Sequence, residues 1–313
     1  MIVVKKYKTE NKHVWDSFIK VAKNSHFMFY RDYMEYHSER FEDYSLLFMD
    51  EKDRLVAVLP ANINENTLFS HQGLTFGGLI LTERTSTNAV LDIFSTLKVF
   101  LSTKNIRNLI YKPIPYIYTV LPSDEDLYAL FVNDAHIVRR DVSSLINLNG
   151  VIKYTKGRKW TINKAKKSNI NLCETDDFND FWVLLSTVLQ SQHGTEPVHS
   201  ISEIHHLRKL FPENIKLFTA NYDGKVIAGA VIYEAESVIH TQYLSNSDIG
   251  RELGALDLLL DHLIKNKYKD KKYFDFGIST ESGGQILNKG LIGQKEGFGA
   301  RAMVHDVYQL EIK

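Results

Sequence analysis

Two apolar runs, residues 215–220 and 225–233, flank the dipeptide Asp223-Gly224. An Asp-Gly pair between such runs signals a two-residue hairpin turn, because that turn needs positive φ at its centre. A third strand is predicted at 238–244, then a polar loop at 245–250. A helix follows over 251–266, with Leu253, Leu256, Leu260, Leu263 and Ile264 facing inward. Residues 273–276 read as another strand and 302–312 as a long final one. A strand that leaves through a polar loop into a helix presents unpaired backbone N–H groups and the positive end of the helix dipole. That is a natural seat for a pyrophosphate.

The first half repeats this order. Residues 14–24 form a helix with Trp15, Phe18, Ile19 and Ala22 on one face, and 31–40 form a second. Runs at 45–49 and 55–60 make a hairpin, and 67–70 a strand, followed by the glycine-rich segment 71–78. A helix at 86–103 buries Ala89, Val90, Ile93, Leu97 and Phe100, and 106–111 is a strand. In the second half, a basic helical stretch at 153–167 and helices at 178–190 and 201–210 precede the hairpin. Both halves read helix, helix, strands, helix, strand. The chain is therefore expected to use one α/β unit twice, at a period too long for a solenoid. Asn147-Leu148-Asn149-Gly150 supplies turn chemistry at the junction. Two domains, 1–147 and 148–313, follow.

Composition sets the class. With 313 residues, 44% hydrophobic and 24% charged, the chain is globular and long enough for roughly two domains. Lys+Arg and Asp+Glu are 38 each, so no global basic excess drives binding to DNA or a membrane. The single cysteine, Cys173, excludes an internal disulfide and fits a reducing, cytoplasmic setting. The first fifteen residues lack the apolar core of a signal peptide, and no apolar run approaches the roughly 18 residues of a membrane span. No Cys/His spacing suggests a metal, so none is expected.

The junction after the third strand reads Gly250-Arg251-Glu252-Leu253-Gly254-Ala255-Leu256. It resembles the Gln/Arg-x-x-Gly-x-Gly/Ala pattern of GNAT acyltransferases, although Leu256 stands where Gly or Ala is expected. Tyr273-Phe274-Asp275-Phe276-Gly277, then Lys295-Glu296-Gly297-Phe298-Gly299, is similar to the tail of FemAB-like N-acyltransferases. Lys159-Trp160-Thr161-Ile162-Asn163-Lys164-Ala165-Lys166-Lys167 resembles that family's basic helix. The segment from Trp15 through Ser70-His71-Gln72-Gly73-Leu74-Thr75-Phe76-Gly77-Gly78 looks like the N-terminal domain of its bacterial members.

The resemblance implies an α/β (α+β) chain of two tandem GNAT-like domains, each a mixed, mostly antiparallel sheet flanked by helices. The C-terminal domain would transfer acyl groups, and the N-terminal one would bind the acceptor or be structural. The implied reaction is attack of an amine on acyl-CoA, with acetyl-CoA first in line. The implied acceptor is an amino sugar in cell-surface polysaccharide assembly. The alternatives are a FemX-like aminoacyl ligase using tRNA on a cell-wall precursor, and a non-enzymatic binding scaffold. Donor contacts fall to Leu244, Gly250, Arg251, Gly254 and Ala255. Lys295 is the cation near the developing charge, and the four glycines around it imply close backbone approach. His240, Tyr243, Asp275 and Glu281 are the candidates for a base. The loop 192–199, with His193 and Glu196, and the loop with His71 and Gln72 are acceptor-contact candidates.

Overall fold

The structure, a computed structural model, describes residues 2–313, the side chain of His193 excepted. It separates into two units. One holds Met1–Asp141, Ser282–Gln285 and Val304–Lys313, and the other Val142–Glu281 and Ile286–Met303.

The first unit contains β1 (Val3–Lys6), α1 (Lys12–Val21), α2 (Arg31–Glu35), β2 (Glu42–Asp43), β3 (Leu46–Met49) and β4 (Leu55–Leu59). It continues through β5 (Asn62–Asn64), β6 (Thr67–Phe69), β7 (Ile80–Leu81), α3 (Thr87–Thr103), β8 (Asn108–Tyr111), α4 (Glu125–Val132) and the start of β9 (His136–Asn147). Strands β1, β3, β4 and β7 form an antiparallel sheet in the order 1-3-4-7. Helix α3 starts where Ser86 caps it, accepting from the Ala89 N–H. It buries Val90, Ile93, Phe94, Leu97 and Leu101. Ala89 and Phe100, expected inward, are only half-buried because Phe94 and Leu101 take the inner line of the helix. The helix predicted at 31–40 stops at Glu35, and residues 38–40 form a separate single turn.

The second unit contains α5 (Lys156–Ala165), β10 (Asn171–Thr175), α6 (Asn179–His193), α7 (Ile201–Leu210), β11 (Ile215–Tyr222), β12 (Lys225–Glu234) and β13 (Val238–Asn246). Next come α8 (Asp248–Leu253), α9 (Ala255–His262), β14 (Tyr273–Ile278), β15 (Thr280–Glu281), β16 (Ile286–Leu287), α10 (Lys289–Glu296) and the start of β17 (Arg301–Glu311), which from Val304 onward belongs to the first unit. Its sheet runs β10-β11-β12-β13-β14-β9. All neighbours are antiparallel except β13 and β14, which are parallel. Asp223 and Gly224 both have positive φ, as the hairpin between β11 and β12 requires. Helix α7 has the predicted bounds and a capping box between Ser200 and Glu203. Leu256, Leu259, Leu260, Leu263 and Ile264 pack on Ala228, Ala230 and Ile232 of β12 to form the core.

One correction bears on the site. The loop predicted at 245–250 and the helix predicted at 251–266 are arranged differently. Strand β13 runs to Asn246, Ser247 caps α8, and Gly254 breaks the helix at φ 78°. Leu253 lies before the break and is only half-buried. A Cβ on Gly254 would stand 2.6 Å from Thr161 Cγ2 of α5, so the break is also a point of close helix approach. Gly157 of α5 has open space around its Cα instead. Gly254→Ala should therefore lower stability by about 1–2 kcal/mol or more, from the left-handed backbone and the clash. Gly157→Ala should raise it by about 0.5–1 kcal/mol. Thermal melts of the two variants check both signs.

Candidate active site

Strands β13 and β14 pair over three residues only: Val238 with Tyr273, Ile239 with Phe274 and His240 with Asp275. Beyond that point β13 continues to Asn246 and β14 to Ile278 without pairing, so the sheet forks. On the other side of β14, the register with β9 shifts between Asp275 and Ile278. Asp275, at the root of the fork, has no exposed surface. Its carboxylate accepts from Ser143 Oγ at 2.5 Å and from the Gly277 N–H at 2.9 Å. It also meets His240 Nδ1 at 2.9 Å. A buried carboxylate left unpaired costs several kcal/mol, so these groups hold it and it holds them. With the carboxylate as acceptor, Nδ1 supplies the hydrogen of this contact, and Nε2 is the ring nitrogen not engaged by Asp275. Gly277 is left-handed, at φ 73°, and a Cβ there would come 3.1 Å from the His240 ring.

Lys295 projects from α10 into this region and is buried. Its Nζ donates to Gly277 O at 2.9 Å, Ile278 O at 2.7 Å and Ser279 Oγ at 2.9 Å. An ammonium has three protons, and all three are used here. Lys295 therefore acts on the fork as a fixed charge and a clamp, not as a hydrogen-bond donor to a ligand. Burial pulls its pKa down to about 8, partly opposed by Asp275.

Past the fork, β13 bulges. Thr241 stands opposite Ile232 and Tyr243 opposite Val231, so no residue of β12 faces Gln242. His240 pairs with Tyr233. Tyr233 and Val231 share a face of β12, so His240 and Tyr243 project from the same face of β13 on either side of the bulge. Tyr243 Oη lies 2.6 Å from His199 Nδ1 and accepts from the His199 N–H at 3.3 Å. The Trp182 ring meets it edge-on. Burial pushes the Tyr243 phenol up to about 12.

The other candidates lie elsewhere. Leu244 pairs with Ala230 in the β12–β13 ladder. The Gly250 N–H donates to Ser247 Oγ, Arg251 N–H to Ser247 O and Gly254 N–H to Gly250 O. The Arg251 guanidinium binds Asn246 O and the Asp248 carboxylate. Ala255 begins α9 and is fully buried. The amides of Gly250, Arg251 and Gly254, expected to seat a pyrophosphate, are bonded within the chain. Glu281 accepts from Asn288 Nδ2 at 2.8 Å. Glu196 is exposed in the α6–α7 connection, and the side chain of His193 lies outside the described residues. His71 and Gln72 belong to the first unit. There the buried His71 accepts from the Gly73 N–H through Nδ1, and Gln72 exchanges two hydrogen bonds with Asn62. Burial holds His71 down at about 3, so it is neutral. Sequence reasoning missed Ser143, Ser279 and His199; of these, only His199 sat in a segment that had drawn attention.

Among the described residues no cluster of His, Cys, Asp or Glu is fit to hold a metal, and no helix is long and apolar enough to cross a membrane. Residues 161–282 match the family model described as the acetyltransferase (GNAT) domain. No curated protein matches in sequence. Among solved structures the chain is similar to FemX, with a TM-score of 0.68 and 9% identity over 98% of this chain and 97% of that one. It is also similar to the C-terminal domain of a protein described as a lysylphosphatidylglycerol synthetase from Agrobacterium fabrum, with a TM-score of 0.63 and 12% identity over 96% and 92%. A tandem GNAT protein from the clavulanic acid biosynthesis pathway gives a TM-score of 0.52 and 11% identity over 100% and 99%. At these identities the likeness is one of fold: a mixed α/β, mostly antiparallel, GNAT-type architecture.

The depressed Lys295 pKa has a measurable consequence. The unfolded chain holds this proton up to about pH 10.5 and the folded one only to about pH 8. The folded state therefore gains stability as pH rises from 8 to 10.5, by roughly 3 kcal/mol at 1.36 kcal/mol per unit. Urea titrations across that window should show this rise in the wild type and not in Lys295→Met. Parallel pH dependences would mean that Lys295 is not buried as a charge.

Proposed function

We propose that the second unit is an N-acyltransferase moving an acyl group from acyl-CoA, acetyl-CoA first among them, to an amine. The observation that carries this is the fork at His240. A base oriented by a buried carboxylate stands where two parallel strands part, next to a bulge that takes Gln242 out of the ladder. His240 Nε2 takes the proton as the amine nitrogen attacks the thioester carbonyl. The Gln242 N–H, left out of the ladder by the bulge, meets the developing oxyanion. The C–N bond forms, the C–S bond breaks, and CoA leaves as its thiol after taking up a proton. We read the first unit as acceptor-binding or structural, the acceptor as an amino sugar of a cell-surface polysaccharide, and the setting as cytoplasmic. The match of residues 161–282 to the GNAT domain supports the donor class.

A second reading has its own support. In it, the donor is an aminoacyl ester carried by tRNA, in the manner of FemX. The amides expected to seat a pyrophosphate are engaged inside the chain. Residues 142–173 carry seven basic side chains and no acidic one, within a chain of net charge zero. Lys153, Lys156, Lys159 and Lys167 among them are exposed. A patch of this kind fits a phosphate backbone.

Thermal unfolding with acetyl-CoA, longer acyl-CoAs and CoA separates the two. Stabilisation that grows with concentration, about 2.7 kcal/mol at a hundred times Kd, supports the first reading. No shift with any of them rejects it, and binding of aminoacyl-tRNA that weakens steeply with salt supports the second. His240→Ala should lower kcat by about 10²–10⁴-fold with donor affinity unchanged. Unchanged turnover would remove His240 as the base.

A further inference from the structure

A tryptophan left in water needs a reason, because burying an indole is among the largest gains open to a side chain. Trp15 and Trp182 are buried, while Trp160 on α5 is 67% exposed. We propose that Trp160 is a stacking platform for the adenine of the CoA donor, and that Lys156, Lys159 and Lys164 around it meet the phosphates of the same nucleotide end. The inference rests on the acyl-CoA reading of the second unit and adds where the nucleotide end of the donor lies.

Three observations carry it. Helical spacing puts Lys156 and Lys164 four residues to either side of Trp160, on the face opposite the buried Ile162 and Ala165. Lys159 lies at the edge of that face, all four side chains are exposed, and residues 142–173 include no carboxylate. The Lys164 ammonium stands 5.8 Å from the centre of the Trp160 ring. Next, α5 sits against the junction of α8 and α9. Thr161, the neighbour of Trp160, is the residue that Gly254 makes room for. Lys164 Nζ donates to Glu252 O at 2.8 Å, which uses one ammonium proton and leaves two. Finally, Lys156, Lys159 and Trp160 precede residues 161–282, which match the GNAT domain, so this platform is a feature of this chain rather than of the matched region. A purine offers a π-face to an indole, and a phosphate monoester offers a dianion to lysine. CoA carries both at one end; pantetheine carries neither.

Tryptophan emission reads the platform directly, because a purine stacked on an indole quenches it. CoA, dephospho-CoA (which lacks the 3′-phosphate) and pantetheine are titrated into the full chain, with thermal melts giving affinities alongside. The expected result is quenching by CoA that is mostly lost in Trp160→Ala, with CoA affinity at least about fivefold lower. Trp160→Phe, which keeps an aromatic face, should recover most of that affinity. Dephospho-CoA should bind the wild type about fivefold more weakly than CoA, and Lys156→Met combined with Lys159→Met should shrink that gap to within about twofold. Equal CoA affinity in the wild type and Trp160→Ala overturns the inference and leaves the acyl-CoA reading standing, as does dephospho-CoA that binds as tightly as CoA. Failure of the wild type to bind CoA at all removes that reading and the inference with it. Quenching of Trp160 by tRNA and not by CoA also overturns the inference and gives this face to the second reading.

Discussion

The fully buried carboxylate of Asp275 is the constraint around which the second unit is arranged. Its partners come from three strands: Ser143 on β9, His240 on β13 and the Gly277 amide on β14 itself. Removing any one leaves part of a charge unpaired in the interior, which is why these strands must meet there. The same requirement explains the fork. To return its amide to Asp275, Gly277 turns left-handed, and β14 leaves β13 and bulges against β9. Leaving the ladder strips partners from the Gly277 and Ile278 carbonyls. Buried carbonyls need donors, and Lys295 supplies them.

This accounting narrows what the site has to offer a ligand. Lys295 is spent on the backbone and Asp275 on its three donors. His240 and the bulged Gln242 main chain remain along β13, the Tyr243 hydroxyl being bonded to His199. Trp182, packed edge-on against Tyr243, keeps the phenol desolvated and so protonated.

Much of the fold was legible because its signals are local. Asp223-Gly224 names its turn, and the Ser200–Glu203 box fixes α7 to the residue. The break at Gly254 was not legible. The leucine periodicity runs straight through it, and the cause is a helix more than eighty residues upstream whose Thr161 presses on that glycine. The site shows the same division. Asp275 and His240 could be picked out by chemistry and alternation, and the structure joins them. Ser143 could not: in Val142-Ser143-Ser144-Leu145 nothing separates one serine from the next until the register with β14 does. In the loop 192–199 the more conspicuous His193 and Glu196 drew attention, and His199 was passed over. Only the packing of the loop shows that His199 reaches Tyr243 of β13.

The Arg251-x-x-Gly254 pattern shows why a motif has to be converted into hydrogen bonds before it is read as a site. A glycine at a helix start has two separate physical causes. One is that a ligand approaches the backbone; the other is that a neighbouring helix does. Gly254 has the second cause in full: a left-handed backbone, a tight contact with α5, and an N–H that already donates to Gly250 O. Gly250 is likewise crowded, by Asn246 Oδ1 and Ile227 O, and its amide serves the Ser247 cap. The outward face of α5 carries Lys156 and Lys159 beside the exposed Trp160, while its inward Arg158 is committed to Asp257. The close approach of α5 to Gly254 sets the basic face of α5 beside the start of α9.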